Sequence, residues 1–490
     1  MKHQATERTA ASLLASLVCA GVACSLTATL LPVPAIAAEA DVPDVDSGDT
    51  PGAEPAEPAE PISLTDARVS TAKRVTYSGS KKKPAIKVTL GGKKLKAGTD
   101  YTVRYSNNRK VGKATAAVTG KGLYTGKLKK TFKIVPRKAK KLKAKVVGGS
   151  VLVSWKPAKK QTSGYRLYWS TSRKFAKKKT HKKLLTKRSA HKLELRGLAV
   201  GKRYYFKVAA FKKVKSKRYW SAQSKRRSAK IARQSKDDLL KLLSKASSSK
   251  SVKTFNSTYK LGKTKAGKSL LRTVSDLRKR YKINFEMIDI QTGEGLSCSP
   301  HRYMYSASCL KGPFVASLNR WKPYSRRSAG TMRSTIVWSD NNTYSALRSS
   351  YGSSTMSKLM RYSDVHSFDP YRKYAYLPTS DLAKLWVGTY WYFYKSTNAN
   401  STWCRNLYTH GYNSFIYQGM KTRGKKVHAK PGWFPGGGYN VQNDAGVVMA
   451  KVGGKSRPYI VSVMTSACGQ YAKLRELVRA IDDVHTDMCR

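Results

Sequence analysis

The sequence predicts a multidomain chain in which two small all-β sandwiches precede a mixed α/β domain, and three observations lead there. The chain has 490 residues, too many for one hydrophobic core and enough for about three domains of ordinary size. From residue 63 to about 232, short runs alternate polar and apolar side chains between Gly, Asn and Lys turns, the period of half-buried antiparallel strands. From about 265 onward, helical periodicity alternates with apolar strand-like runs, as where helices cover a sheet.

Residues 1–38 read as a secretory signal peptide. Lys2 and Arg8 precede the apolar run Ala10 to Leu31, and small residues follow around Ala35-Ile36-Ala37-Ala38. The run is long for a signal, so an uncleaved anchor is the alternative. Residues 39–62 are acidic and proline-rich, with a near-repeat of Ala-Glu-Pro. They bury too little apolar surface to fold and read as an extended linker. The protein is therefore expected to be secreted and extracellular.

The formal net charge is +69, and from Ala67 to Lys236 the only acidic residues are Asp100 and Glu194. A surface of that kind repels itself unless a polyanion is near. For an exported chain the partners expected are anionic cell-wall polymers or lipid headgroups, which would hold it at the cell envelope. A nucleic-acid platform is not expected, because strand alternation already explains where the aromatics fall among the lysines.

Residues 63–136 form the first predicted β module. Ala97-Gly-Thr-Asp-Tyr101, Ser106-Asn-Asn108 and Gly120-Lys-Gly-Leu-Tyr-Thr-Gly126 resemble the immunoglobulin-like repeats of bacterial surface proteins. Residues 137–232 resemble a fibronectin type III domain. Val151-Leu-Val-Ser-Trp155 supplies a strand with a core tryptophan, and Leu198 to Tyr204 matches the corner that a tyrosine hydroxyl ties back. Neither module carries a catalytic constellation, so both read as spacers or adhesive modules. Residues 233–264 read as a Ser/Lys-rich connector holding one short helix.

The last domain, 265–490, carries the chemistry. A serine hydroxyl needs an adjacent base to become a nucleophile. One helical turn puts an amine beside it in Ser308-Cys-Leu-Lys311. Before it come a helical stretch from Leu271 to Tyr281, a strand from Asn284 to Ile290 and a turn at Gln291-Thr-Gly-Glu294. After it come Ser339-Asp340-Asn341 with a helix closing at Gly352, Lys430-Pro431-Gly432-Trp433, two strands, and a final helix from Tyr471 to Val484.

In that order the elements resemble the active-site serine hydrolases that include class A β-lactamases and penicillin-binding proteins. The resemblance implies a β-lactamase/transpeptidase-like α/β fold, with Ser308 as nucleophile, Lys311 as its base and Ser339 as proton relay. It further implies that Asn341, Lys430 and Gly432 bind substrate and that the backbone amides of Ser308 and Trp433 form the oxyanion hole. Substrates would be peptidoglycan peptides or β-lactams. The alternative is a catalytically weak or inactive surface protein that binds envelope polymers.

Departures from the family pattern are also legible. Pro431 replaces a hydroxyl residue, removing one hydrogen bond to a substrate carboxylate. No glutamate occurs from Gly295 to Arg475, so the water-activating glutamate of class A enzymes is absent, and Asp369 is the nearest stand-in as general base. Pro313, just after Lys311, either strains the helix or starts a fresh segment. Of seven cysteines, five lie beyond the signal. An exported protein can pair them as disulfides, and Cys309 is expected to be the odd one out. His301, His366, His410 and His428 lack metal-ligand spacing, so neither a metal nor a cofactor is expected.

Overall fold

The computed structural model describes residues 60–158, 160–322, 326–396 and 398–490. The signal peptide and nearly all of the acidic linker lie outside the described residues.

The first β module packs a four-stranded sheet (Arg74–Thr76, Lys127–Val135, Gly112–Gly120, Tyr101–Ser106) against three strands at Arg68–Thr71, Ile86–Leu90 and Lys93–Lys94. Val69 and Val88 from one sheet meet Tyr101, Ala116 and Val118 from the other. The second module likewise has two sheets, with Val151, Val153 and Trp155 packed on Tyr165, Leu167, Phe206 and Val208. Ala199 N donates to the Tyr204 hydroxyl at 3.0 Å, the corner expected from the sequence.

Two of the few acids of these modules, Asp100 and Glu194, are engaged, the latter also by the Thr258 hydroxyl of the last domain. Asp100 Oδ2 accepts Lys96 N at 2.7 Å, and Glu194 pairs with Arg196 at 2.6 Å. Between the modules runs a cleft lined by Lys73, Arg74, Lys113, Lys133, Lys217 and Arg218. The second module also abuts the last domain through Gly148, at φ +55°, where a Cβ would lie 2.2 Å from Glu294 Cγ and 2.4 Å from Asn256 O. Only glycine fits there.

The segment 233–264 is not a loose connector; it is folded into the last domain. Ser235 and Asp238 form a capping box at the start of α1 (Lys236–Ser244). Leu239, Leu240 and Leu243 enter the core cluster that also holds Trp386 and Phe393. β1 (Lys253–Phe255) then adds an edge strand to the domain's sheet. The leucine stripe was visible in the sequence, but the surface it covers lies more than a hundred residues away.

Next come α2 (Lys265–Arg278), β2 (Ile283–Asp289), β3 (Gly295–Cys298) and the short strand β4 (Tyr303–Tyr305). The helical layer follows as α3 (Lys311–Trp321), α4 (Arg326–Val337), α5 (Asn341–Tyr351) and α6 (Ser354–Tyr362). It continues with β5 (Tyr376–Pro378), α7 (Thr379–Lys395) and α8 (Ala399–Leu407). The chain then returns through α9 (Phe415–Lys421), β6 (Lys426–Phe434), β7 (Val441–Met449), β8 (Tyr459–Thr465) and α10 (Tyr471–Cys489).

The main sheet is antiparallel, ordered β1-β3-β2-β8-β7-β6. Each face has its own core. Leu270, Val274 and Leu277 of α2 and the stripe Leu474, Leu477, Ile481 and Val484 of α10 cover one face. On the other face α7, buried almost all round, carries the helical layer. This layering leaves β6 as an edge strand beside the start of α3.

The five cysteines of the described residues are all unpaired thiols, so the expected disulfides do not form and Cys309 is one free thiol among five. Cys298, Cys309, Cys404 and Cys489 are each buried in a different element, held apart by the packing around them.

If α1 belongs to this core, Leu243→Ala should cost about 2–5 kcal/mol of the last domain's unfolding free energy. Urea denaturation reads this directly, and an unchanged midpoint would mean that α1 is not part of the core.

Candidate active site

Ser308 sits in a tight 3₁₀ turn, Ala307–Leu310, immediately before α3, and its side chain is partly exposed. Ala307, just ahead of it, has φ +46°, a conformation that costs a non-glycine residue of order 1–3 kcal/mol and persists only where surroundings enforce it. Those surroundings include Asn443 on β7, whose Nδ2 donates to Tyr305 O at 2.8 Å and Ser306 O at 3.2 Å. Pro313 is the third residue of α3, inside the first turn where a missing N–H breaks no helical bond, so a fresh segment forms without the cost of a mid-helix proline.

Lys311 has no exposed surface, and its amine is fully engaged. Nζ donates to Ser339 O at 2.6 Å, to Asn341 Oδ1 at 2.6 Å and to Asp340 O at 3.3 Å. Those acceptors come from the entry to α5, where Asp340 accepts Thr343 N at 2.7 Å as the N-cap. Ser339 has φ +58°. From β6, Lys430 Nζ donates to Ser339 Oγ at 2.8 Å and to Pro431 O at 3.1 Å.

Two buried amines therefore meet at Ser339, Lys311 on its carbonyl oxygen and Lys430 on its hydroxyl. Burial pulls the Lys311 ammonium down to about 8, against an upward pull from Asp340. Burial, reinforced by the charge of Lys311, pulls Lys430 down to about 7. Burial thus brings both amines closer to the neutral state a proton acceptor needs, Lys430 nearer to it than Lys311, whose three N–H donors are all engaged.

Gly432 marks how closely β6 approaches the nucleophile turn, since a Cβ there would lie 2.6 Å from Ser308 N and 2.4 Å from Cys309 N. Trp433, next on the strand, is partly exposed beside this contact. Ser308, Lys311, Ser339, Asn341, Lys430, Gly432 and Trp433 thus come together from three stretches of sequence. Asp369 does not join them. It is exposed, and its Oδ1 accepts Tyr371 N at 2.9 Å, as in a turn-forming aspartate.

Several residues of the site were not singled out in the sequence. The Tyr374 hydroxyl donates to Asn341 Oδ1 at 2.9 Å, so one amide oxygen takes bonds from both Lys311 and Tyr374. Tyr305 stacks on Tyr439 at 4.3 Å between ring centroids and leans on Tyr376 at 5.8 Å and Phe434 at 6.1 Å, forming an aromatic wall beside Ser308. Asp444, opposite Pro431 in register, is fully buried. Burial raises its carboxyl to about 7, opposed by Ile416 N, the Ser414 hydroxyl and Lys430. The available signal was a polar pair, Asn443-Asp444, interrupting an otherwise apolar strand.

Residues 137–227 match the family model of the fibronectin type III domain, and residues 329–485 match that of the Beta-lactamase enzyme family. The second match takes in Ser339, Asn341, Lys430 and Gly432 and begins after Ser308 and Lys311. No curated protein matches the chain. Among solved structures, the chain is similar to a halotolerant bacterial β-lactamase at 16% identity, TM-score 0.36, covering 43% of this chain and 98% of that one. It is similar to the class A β-lactamase of Clostridium kluyveri DSM 555 at 14% identity, TM-score 0.37, covering 45% and 98%. The β-lactamase of Streptosporangium roseum matches at 15% identity, TM-score 0.36, covering 45% and 97%. The chain thus carries a fibronectin type III domain followed by a β-lactamase-like domain.

Because the Gly432 contact leaves no room for a methyl group, Gly432→Ala should push β6 off the nucleophile turn and lower stability by about 1–3 kcal/mol. Thermal denaturation tests this, and a variant as stable as the parent would place β6 further from Ser308.

Proposed function

We propose that this chain is an exported serine acyl hydrolase that forms an acyl-enzyme on Ser308 and acts on cell-wall peptide amides or on β-lactams. The observation that carries the reading is the pair of buried, pKa-depressed amines around Ser339, one turn of helix from a partly exposed serine.

In this mechanism Ser308 Oγ attacks the carbonyl carbon of the scissile amide while its proton passes toward the Lys311 amine. The developing oxyanion is held by the amides of Ser308 and Trp433; a donor so placed is typically worth about 3–4 kcal/mol. Ser339, polarised by Lys430, delivers its proton to the departing nitrogen and is reprotonated by the proton Lys311 took from Ser308, and the C–N bond breaks to leave an ester on Ser308. Lys430 also adds positive potential for a substrate carboxylate, and Asn341 orients both Lys311 and the substrate amide. The aromatic wall around Tyr305 and Tyr439 offers flat apolar faces to the substrate's side groups.

Hydrolysis of that ester is the weak half of the cycle. Asp369 Oδ1 is engaged in its own turn, and no glutamate from Gly295 to Arg475 can take the part of the class A water-activating residue. The acyl-enzyme should therefore persist. Pro431 favours a second reading, a β-lactamase-like surface protein without useful turnover, because it removes a hydrogen-bonding group from the substrate strand. In either reading the Lys/Arg-lined cleft between the β modules would hold the protein on anionic wall polymers or lipid headgroups.

A fluorescent penicillin or a fluorophosphonate should label the wild type, Ser308→Ala should not be labelled, and Ser339→Ala should label roughly 10²–10⁴ times more slowly. Equal labelling of Ser308→Ala would remove Ser308 from the mechanism. With amines at about 7 and about 8, raising the pH increases the neutral, proton-accepting fraction. Fluorophosphonate labelling, which needs no carboxylate contact from Lys430, should therefore climb by up to roughly tenfold per pH unit below about 8, where Lys311 loses its proton, and level off above it. A rate that falls with rising pH through this range would rule out a lysine base.

A further inference from the structure

On the face of the sheet away from Ser308, Asp289 at the end of β2 meets His485 and Cys489 of α10. The two helical residues are four apart, one turn, so their side chains project from one face. Their three donor atoms converge. His485 Nε2 lies 3.0 Å from Asp289 Oδ2, Cys489 Sγ lies 3.6 Å from the same oxygen, and Sγ lies 3.5 Å from Nε2. Asp289 and His485 have no exposed surface, and Cys489 is 7% exposed.

We propose that Asp289, His485 and Cys489 form a binding site for a divalent transition-metal ion, zinc first among them. Carboxylate oxygen, imidazole nitrogen and thiolate sulfur make a mixed set that suits zinc. Bonds of about 2.0–2.3 Å at tetrahedral angles put ligand atoms about 3.2–3.6 Å apart. The two edges that include sulfur already have that length, and the oxygen–nitrogen edge needs to open by only a few tenths of an ångström.

The carboxylate is also held for the purpose. Its Oδ1 accepts Gln291 N at 3.0 Å, Thr292 N at 2.7 Å and Thr292 Oγ1 at 2.9 Å, which fixes the group and leaves Oδ2 directed at the helix. A proton relay does not explain the arrangement. A relay would use both ring nitrogens of His485, whereas here oxygen and sulfur both face Nε2. Carboxylate and thiolate together balance a dication, and the buried Arg457 guanidinium, 3.9 Å from Asp289 Oδ1, adds one positive charge beside the filled site.

The ion would pin the end of α10 to the sheet. That end also meets the second β module, because a Cβ on Gly197 would lie 2.6 Å from Arg490 O. The site is independent of Ser308 chemistry.

The full chain, stripped with a chelator and titrated with cobalt(II), should take up one equivalent. It should develop a thiolate-to-cobalt charge-transfer band in the near ultraviolet. Cys489→Ser, a near-isosteric change, should lose that band, and His485→Gln should weaken uptake roughly tenfold or more. Zinc should raise the unfolding temperature of the wild type and leave that of Cys489→Ser unmoved. No band, a band that survives in Cys489→Ser, or no zinc-dependent shift in the wild type would overturn the proposal. Since the sequence holds six other cysteines, the comparison with Cys489→Ser assigns the ligand.

Discussion

A primary amine stripped of water must find acceptors inside the protein, and the arrangement around Ser308 follows from how Lys311 finds them. Its acceptors are Ser339 O, Asp340 O and Asn341 Oδ1, so burying the amine locks the start of α3 to the start of α5. Lys430 then reaches Ser339 Oγ from β6. Helix, loop and strand converge on Ser339 because each buried donor needs its partner, and an unsatisfied one would cost about 1–3 kcal/mol or more. Local strain at Ala307 and Ser339 is tolerated inside that frame. The same desolvation that demands the hydrogen bonds also depresses both ammonium pKa values. Structural constraint and chemical competence thus share one cause.

The two halves of a serine hydrolase cycle are unequally provided for. Acylation needs a nucleophile, a base, a relay and donors for an oxyanion, and residues of each type surround Ser308. Deacylation needs a water and a group to deprotonate it. The only aspartate that the sequence offered for that role is spent on a surface turn. Such a protein would react readily and release slowly. The β modules hold most of the positive charge, and Asp100 and Glu194 are both already engaged.

What the sequence disclosed was local, and what it concealed was distant. Ser308 and Lys311 lie one helical turn apart, and Ser339 to Asn341 are adjacent, so short-range geometry sufficed to find them. The strand and helix periods of the last domain could likewise be read, and α2, β2, β7, β8 and α10 lie where those periods put them. Tyr374 and Asn443 were not legible, because their roles depend on a loop and a strand meeting the nucleophile turn in space. The connector was misjudged for the same reason: Leu239, Leu240 and Leu243 acquire meaning only against α7. The Asp289, His485 and Cys489 cluster was missed because the last helix was expected to stop at Val484, one residue short of the pair. Asp369 shows the opposite failure, where a plausible position concealed an ordinary turn.

The most direct test of the account is intact-mass analysis of the purified chain through a time course with excess penicillin, followed by peptide mapping. The account predicts one covalent adduct per chain, on Ser308, that persists long after free penicillin is removed. An unmodified mass throughout, or an adduct of the same size on Ser308→Ala, would contradict it.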